Sequence, residues 1–156
     1  MQLVMGMSAD GYVSINESDD MKWLGKDDKA AFKLLTLGAD KHLLVSRKSG
    51  LLLPHLEGRK TILLSRDSSE GFSLSEAYTL FKDGVLIGGQ TIAVIALQKD
   101  MIHRAHICKS VNKAPLYSTP AYTARAQKEE IMQYITKGKL VATTKLGTST
   151  VETWDL

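Results

Sequence analysis

Short apolar runs alternate with segments of helical spacing through much of the chain, and this alternation constrains the fold more than any other feature. Mainly apolar or β-branched residues fill positions 3–7, 42–45, 61–64 and 85–87. Continuous runs of this kind are typical of strands that are buried on both faces of a parallel sheet. Strands that alternate with helices therefore predict an α/β fold with a mostly parallel central sheet.

Helical spacing of apolar residues marks the connections between these strands. The predicted helices cover residues 27–37, 73–81, 90–98 and 123–136. Asp27 is placed to cap the first helix and Gly38 to end it, whereas Ser73 or Ser75 would cap the second. The third is apolar enough to be a buried helix.

Turn signals complete the outline of the fold. Residues 8–11 predict a turn before a short extended piece at 12–14, and residues 49–58, which include Pro54, predict a short helix and a loop. Residues 140–146 and 148–154 alternate apolar with polar side chains around Gly147, which predicts a closing antiparallel hairpin. We expect a three-layer α/β fold with a mostly parallel central sheet and this hairpin at its antiparallel edge.

Composition narrows the possible functions. A chain of 156 residues suits a single domain over residues 1–156, and a formal charge of +3 with scattered cations does not indicate binding to nucleic acid or a membrane. Cys108 has no second thiol to pair with, and the first residues lack a basic leader. We therefore expect a cytoplasmic protein, a monomer or homodimer, whose partner is a small molecule.

Asp28 and Phe32 lie four residues apart on the first predicted helix and so share one face. A carboxylate beside an aromatic ring can hold a planar heterocycle by pairing with its ring N–H and exocyclic amine. The same residues could instead complement the helix dipole and fill the core. The pair alone leaves both interpretations open.

Glycines and basic residues follow the predicted strands. Gly88 and Gly89 separate a strand that ends at Ile87 from a helix, a setting that suits pyrophosphate but also a plain turn. Hydroxyl and basic groups follow two other strands, where parallel sheets bind ligands and phosphate finds partners. These residues are Arg47, Lys48, Ser49, Ser65 and Arg66.

Metal binding is not predicted. The four histidines lack ligand spacing except for His103 and His106, which would point to opposite faces of a strand, and no acidic or cysteine cluster accompanies them. We expect no metal site.

Together these groups resemble the dihydrofolate reductase family from Leu3 to about Ile107. The family's acid helix, a tryptophan followed by Asp-x-x-x-Phe-Lys-x-x-Thr, corresponds to Trp23, Asp28, Phe32, Lys33 and Thr36. Its Gly-Arg-x-Thr motif is matched in part by residues 46–49, where Ser46 replaces the glycine. Its Pro-Gly-Arg-x-x-Ile-x-Leu-Ser and Ile-Gly-Gly motifs correspond to residues 57–65 and 87–89.

The resemblance implies an NADPH-dependent oxidoreductase that reduces 7,8-dihydrofolate to tetrahydrofolate in one-carbon metabolism. Asp28 would hold the pterin and help to protonate it, with Trp23 as a second catalytic residue. Arg59 would meet the carboxylate of the substrate's glutamate tail. The pterin pocket would be lined by Val4, Met5, Gly6, Phe32 and Ile87.

For NADPH, the resemblance implies phosphate contacts from Arg47, Lys48, Ser49, Ser65 and Arg66, with Arg47 and Arg66 reading the 2′-phosphate. Further cofactor contacts would come from Gly6, Ser14, Ile87, Gly88, Gly89, Gln90, Thr91 and Ile92. The loop from Ser14 to Met21 would close over the nicotinamide. The family also implies a threonine near Ala105 and His106 that supports the acid, and neither position holds one.

Two alternatives stay open. Residues 7–13 look like the related pyrimidine reductases of riboflavin synthesis, which share the fold and NADPH, so another heterocycle could be the substrate. Ser46, Ala93 and the missing threonine are also compatible with a non-catalytic protein that retains the fold.

Overall fold

A seven-stranded sheet forms the centre of the computed structural model, which describes residues 1–14, 23–37, 41–52, 56–87, 89–113 and 126–156. The strands are β1 Gln2–Met7, β2 Tyr12–Ser14, β3 Lys41–Ser46, β4 Arg59–Leu64, β5 Val85–Ile87, β6 Arg104–Lys109, β7 Ala126–Gln127, β8 Lys139–Leu146 and β9 Ser149–Asp155. The helices are α1 Lys26–Thr36, α2 Arg47–Leu52, α3 Leu74–Leu80, α4 Gln90–Gln98 and α5 Lys128–Ile135.

The central sheet has the order β4-β3-β5-β1-β6-β9-β8. Its first five strands are parallel, β9 runs antiparallel to β6, and β8 pairs antiparallel with β9. A separate two-stranded sheet joins β2 to β7. The predicted mostly parallel sheet with an antiparallel C-terminal hairpin is therefore confirmed.

Two apolar clusters cover the two faces of this sheet. One contains Leu44, Leu86 and Ile107 together with residues of α3, α4 and α5. The other contains Val4 and Val85 with residues of α1. The helices thus form outer layers on both sides of the strands, which is the predicted three-layer arrangement.

The prediction that both faces of residues 61–64 are buried is wrong. Strand β4 is an edge strand of the sheet, and within it Thr61 and Leu63 are exposed whereas Ile62 and Leu64 are buried. Strand β8 lies at the opposite edge and is exposed along nearly its whole length. The apolar character of a run does not reveal whether its strand has one neighbour or two.

Helix α1 begins one residue earlier than predicted, and its cap differs. Gly25 is the N-cap, and its backbone N–H donates to Asp28 Oδ2 at 2.7 Å. Asp27, the predicted cap, instead accepts from the Thr148 backbone N–H at 2.8 Å and the Thr148 hydroxyl at 3.0 Å. These bonds hold the pKa of Asp27 below its ordinary value of 3.8 and tie the start of α1 to the turn of the hairpin.

That turn requires a glycine. Gly147 has φ of 62°, and a Cβ at this position would overlap the Asp27 carboxylate. The sequence signal at Gly147 therefore marks both the hairpin turn and its contact with α1.

Other helix boundaries agree with the sequence to different degrees. Ser73 caps α3 as predicted, since its hydroxyl accepts from the Glu76 N–H at 3.2 Å. Helix α2 begins at Arg47, earlier than the predicted piece, and α5 is shorter than residues 123–136 because residues 126–127 form β7. Gly38, Pro54, Gly88, residues 15–21 of the expected lid and residues 123–125 lie outside the described residues.

Candidate active site

Asp28 lies at the carboxyl ends of β1 and β6 and is buried, with 3% of its surface exposed. Its Oδ2 accepts two hydrogen bonds, from the Gly25 N–H at 2.7 Å and from the Ser110 hydroxyl at 2.6 Å. Its Oδ1 is also buried and has no hydrogen-bond partner among the described residues. One oxygen is thus held by the protein, while the other is left for a different donor.

The hydroxyl that hydrogen-bonds to Asp28 belongs to Ser110, whereas the family resemblance implied a threonine near Ala105 and His106. Ala105 packs in the cluster on the other face of the sheet, and His106 Nδ1 lies 2.9 Å from Thr153 Oγ1, so neither supports the acid. Ser110 follows β6 directly, and its N–H donates to the Met7 carbonyl at 2.8 Å. Pairing with β1 therefore places the Ser110 hydroxyl beside α1.

Asn112 is a second residue that sequence reasoning missed. Its side-chain amide donates to the Trp23 carbonyl at 3.0 Å, its N–H donates to the Ser110 hydroxyl at 3.0 Å, and its carbonyl accepts from the Ala9 N–H at 2.8 Å. One residue thus joins the segment before α1, the end of β6 and the turn after β1. Trp23, the predicted second catalytic residue, is half-buried within this arrangement.

Apolar residues on the α1 face of the sheet line the neighbourhood of Asp28. Val4, Phe32, Ile87 and Cys108 belong to a single cluster there. The side chain of Met5 lies in the cluster on the opposite face, so it does not line this side of the sheet. The structure therefore brings three predicted pocket residues together, and Gly6 lies two residues beyond Val4 on β1, opposite Cys108 on β6.

Cys108 is buried in this apolar region and has little contact with water. Burial raises the pKa of its thiol to about 12, with a smaller contribution from the charge of Asp28. A thiol in this setting stays protonated at neutral pH and packs as a small apolar group.

Arg59 closes the other end of α1. Its Nε donates to the Thr36 carbonyl at 2.9 Å, its Nη2 to the Lys33 carbonyl at 2.6 Å and its Nη1 to the Glu57 carbonyl at 2.9 Å. The bonds to Thr36 and Lys33 satisfy carbonyls in the last turn of α1, whereas Glu57 lies in the turn before β4. Of the five guanidinium N–H groups, two have no partner among the described residues and could meet the predicted substrate carboxylate.

The predicted phosphate residues gather where β3 and β4 end side by side, since Ser46 pairs with Leu64. Ser46 and Ser49 are joined through their hydroxyls at 3.1 Å. Arg47 Nη1 lies 2.6 Å from Glu70 Oε2, an ion pair that the sequence did not predict. Ser65 and Arg66 follow β4 at the same edge, and Arg66 is exposed, whereas α2 carries Lys48 next to Arg47 in the chain.

The N-terminus of α4 is the predicted pyrophosphate site. Gly89 is its N-cap, no side-chain cap bond is made among the described residues, and a Cβ on Gly89 would meet no atom within 4 Å. Such an open, uncapped helix start fits an anionic group. Gln90 is buried, Thr91 is exposed and Ile92 packs against the core, so of these three Thr91 is the most accessible.

The described residues hold neither a cluster of metal ligands nor a membrane-spanning helix. No three His, Cys, Asp or Glu side chains lie together as metal ligands would in the described ranges. Within the same ranges, none of the helices combines the length and apolar character needed to cross a membrane.

The strand order and the helical layers are those of the dihydrofolate reductase fold. A solved structure of dihydrofolate reductase from Enterococcus faecalis, complexed with NADP(H) and RAB-propyl, matches 99% of this chain and 94% of its own with a TM-score of 0.71. The two sequences are 17% identical, so the match establishes the fold. It also extends through the C-terminal residues, beyond the sequence resemblance that ended near Ile107. No protein-family model matches the chain, and no curated protein matches it by sequence.

Proposed function

We propose that this protein is an NADPH-dependent reductase that converts 7,8-dihydrofolate to tetrahydrofolate. The observation that carries the proposal is the buried Asp28 carboxylate, with Oδ2 held by two donors and Oδ1 without a partner among the described residues. Burial of an unpaired polar atom costs on the order of 1–3 kcal/mol, and more when the group is charged. A ligand that donates to Oδ1 removes this cost.

A dihydropterin has the required donors, a ring N–H and an adjacent exocyclic amine. Asp28 would accept from these groups while Val4, Phe32 and Ile87 contact the flat ring. The bonds from Gly25 and Ser110 would prevent the carboxylate from turning, so its charge acts at a fixed position. In this role Asp28 orients the pterin and promotes delivery of a proton from water to N5.

The residues present also fit NADPH. Gly89 and Thr91 at the start of α4 would face the pyrophosphate, while Ser49, Ser65 and Arg66 would lie near the adenosine phosphates. When bound, the cofactor supplies the hydride that is added to C6 of the pterin. The chain contributes binding, orientation and exclusion of water.

A second candidate is the reduction of a heterocycle without a glutamate tail, such as a pyrimidine. The observation that favours it is Arg59, whose guanidinium already donates to three backbone carbonyls. If this is its whole role, a substrate carboxylate is not needed at this position.

One experiment separates the two candidates. NADPH oxidation is followed with dihydrofolate and with a dihydropterin that lacks the tail, using the parent and Arg59→Leu. If folate is the substrate, the variant raises KM for dihydrofolate by about tenfold or more and leaves the tail-less pterin nearly unchanged. Thermal melting of both proteins controls for the lost helix contacts. Equal KM changes for both pterins would favour the second candidate, and a parent that oxidises NADPH with neither pterin would contradict the proposal.

A further inference from the structure

Arg47 already has an anionic partner at the place where a 2′-phosphate is expected. Its guanidinium and the Glu70 carboxylate are 2.6 Å apart, with 66% and 43% of the two side chains exposed. Both groups therefore lie at the surface, where a ligand can reach either of them.

Local hydrogen bonds hold Glu70 in place. In the loop after β4, the Ser65 hydroxyl accepts from the Asp67 N–H at 3.0 Å, and Asp67 Oδ1 accepts from the Ser69 N–H at 2.9 Å. The Glu70 N–H donates to the Asp67 carbonyl at 3.1 Å, and Phe72 returns to the strand by donating to the Leu63 carbonyl at 3.0 Å. The loop thus presents its carboxylate towards Arg47 as part of an ordered turn.

A carboxylate at this position affects the two nicotinamide cofactors in opposite ways. The 2′-phosphate of NADPH is an anion. It competes with Glu70 for the guanidinium of Arg47, and the Glu70 carboxylate repels it. The 2′-hydroxyl of NADH is a donor that a carboxylate can accept, as acidic side chains do in other dinucleotide sites.

We propose that Glu70 is a specificity-determining residue that lowers the preference of this protein for NADPH over NADH. The inference rests on the proposed function, because it needs the adenosine ribose beside Arg47. Glu70 neutralises Arg47 in the free protein, whereas Arg66 at the same edge is exposed and makes no ion pair with the described residues. The affinities of the parent for NADPH and NADH should therefore differ less than they would if both Arg47 and Arg66 were free to bind the 2′-phosphate.

The test is Glu70→Gln, with Kd for NADPH and NADH measured by fluorescence titration at low salt. The ratio of Kd for NADH to Kd for NADPH should rise by roughly five- to tenfold, the effect of one charge at a few ångströms in an exposed site. Asp100→Asn is the matched control. It removes the same charge after the far end of α4, at a φ of 52° that asparagine also adopts, and should leave the ratio unchanged.

A second variant shows whether the effect passes through Arg47. In an Arg47→Ala background the competition for the guanidinium is absent and only the direct repulsion between Glu70 and the phosphate remains, so Glu70→Gln should change the ratio by a smaller factor than in the parent. A ratio that stays within twofold of the parent, or falls, in Glu70→Gln would overturn the inference while leaving the reductase proposal standing. If the parent binds neither nucleotide, the proposed function fails and this inference fails with it.

Discussion

The two ends of the proposed site are built in different ways. At the Asp28 end, the Gly25 N–H before α1 and the Ser110 hydroxyl after β6 both donate to one buried carboxylate. At the Arg47 end, charged groups lie on the surface and make an exposed ion pair. Buried contacts act in a low dielectric and are costly to lose, whereas exposed charges are weakened by water and salt. Substitutions at Asp28 should therefore have larger effects than substitutions at the arginines.

The largest effect is expected for Asp28→Asn. An amide keeps the shape of the side chain but neither carries the charge nor promotes proton delivery, so kcat/KM with dihydrofolate should fall by at least about 100-fold. Steady-state kinetics at neutral pH measures the change. The Kd for NADPH serves as the control and should stay within about twofold of the parent. A variant that retains half of the parent kcat/KM would remove Asp28 from the mechanism.

Ser110→Ala should have the next largest effect. It removes the 2.6 Å bond to Asp28 Oδ2, a charged hydrogen bond worth about 1.5–3 kcal/mol, and so should lower kcat/KM by about tenfold or more. Ser110→Thr keeps the hydroxyl and should restore most of the activity. Kinetics of both variants, beside their melting temperatures, separates positioning of the acid from loss of stability. Equal activity in the alanine and threonine variants would show that the hydroxyl does not position Asp28.

These two residues also show what the sequence could and could not predict. Asp28 and its helix were predicted because helical spacing and a short motif are local features. Ser110 and Asn112 were missed because their contacts depend on the pairing of β6 with β1, which joins residues about a hundred positions apart in the chain. The predicted cap at Asp27 failed for the same reason, since its partner Thr148 lies on the distant hairpin.

At the Arg47 end, too, the residues were predictable from the sequence and the contact was not. Arg47 and Arg66 could be selected because each follows a predicted strand. The partner of Arg47 could not, because Glu70 is brought to it by the loop after β4. The exposure of β8 could not be predicted from the sequence either, because it depends on the position of that strand at the edge of the sheet.

A smaller effect is expected for Arg66→Ala. An exposed cation that contacts a 2′-phosphate contributes about 1 kcal/mol, so the preference for NADPH over NADH should narrow by about fivefold. The change in cofactor preference caused by Arg66→Ala should become smaller as salt is raised, whereas the effect of Asp28→Asn on kcat/KM should not. Fluorescence titration of both cofactors at two salt concentrations provides the measurement. An unchanged preference at low salt would show that Arg66 does not contact the phosphate.

The smallest effect at neutral pH is expected from thiol reagents, which should barely modify Cys108 in the folded protein. Its pKa of about 12, against an ordinary 9.0, makes the thiolate roughly a thousandfold rarer in the folded protein at pH 8, so thiol reagents should leave the folded protein almost unmodified. The denatured protein is the control and should react fully. Since the unfolded thiol ionises near pH 9 and the folded one does not, stability should fall as pH rises from about 9 towards 12. Rapid modification of the folded protein would mean that the Asp28 end is open to water.

The most direct test of the central claim is the fate of the hydride. The parent protein is incubated with dihydrofolate and NADPH that carries deuterium at the transferred position, and the product is analysed by mass spectrometry and NMR. The expected product is tetrahydrofolate with one deuterium at C6, formed by the parent and barely at all by Asp28→Asn. Absence of tetrahydrofolate, or tetrahydrofolate without deuterium at C6, would contradict it.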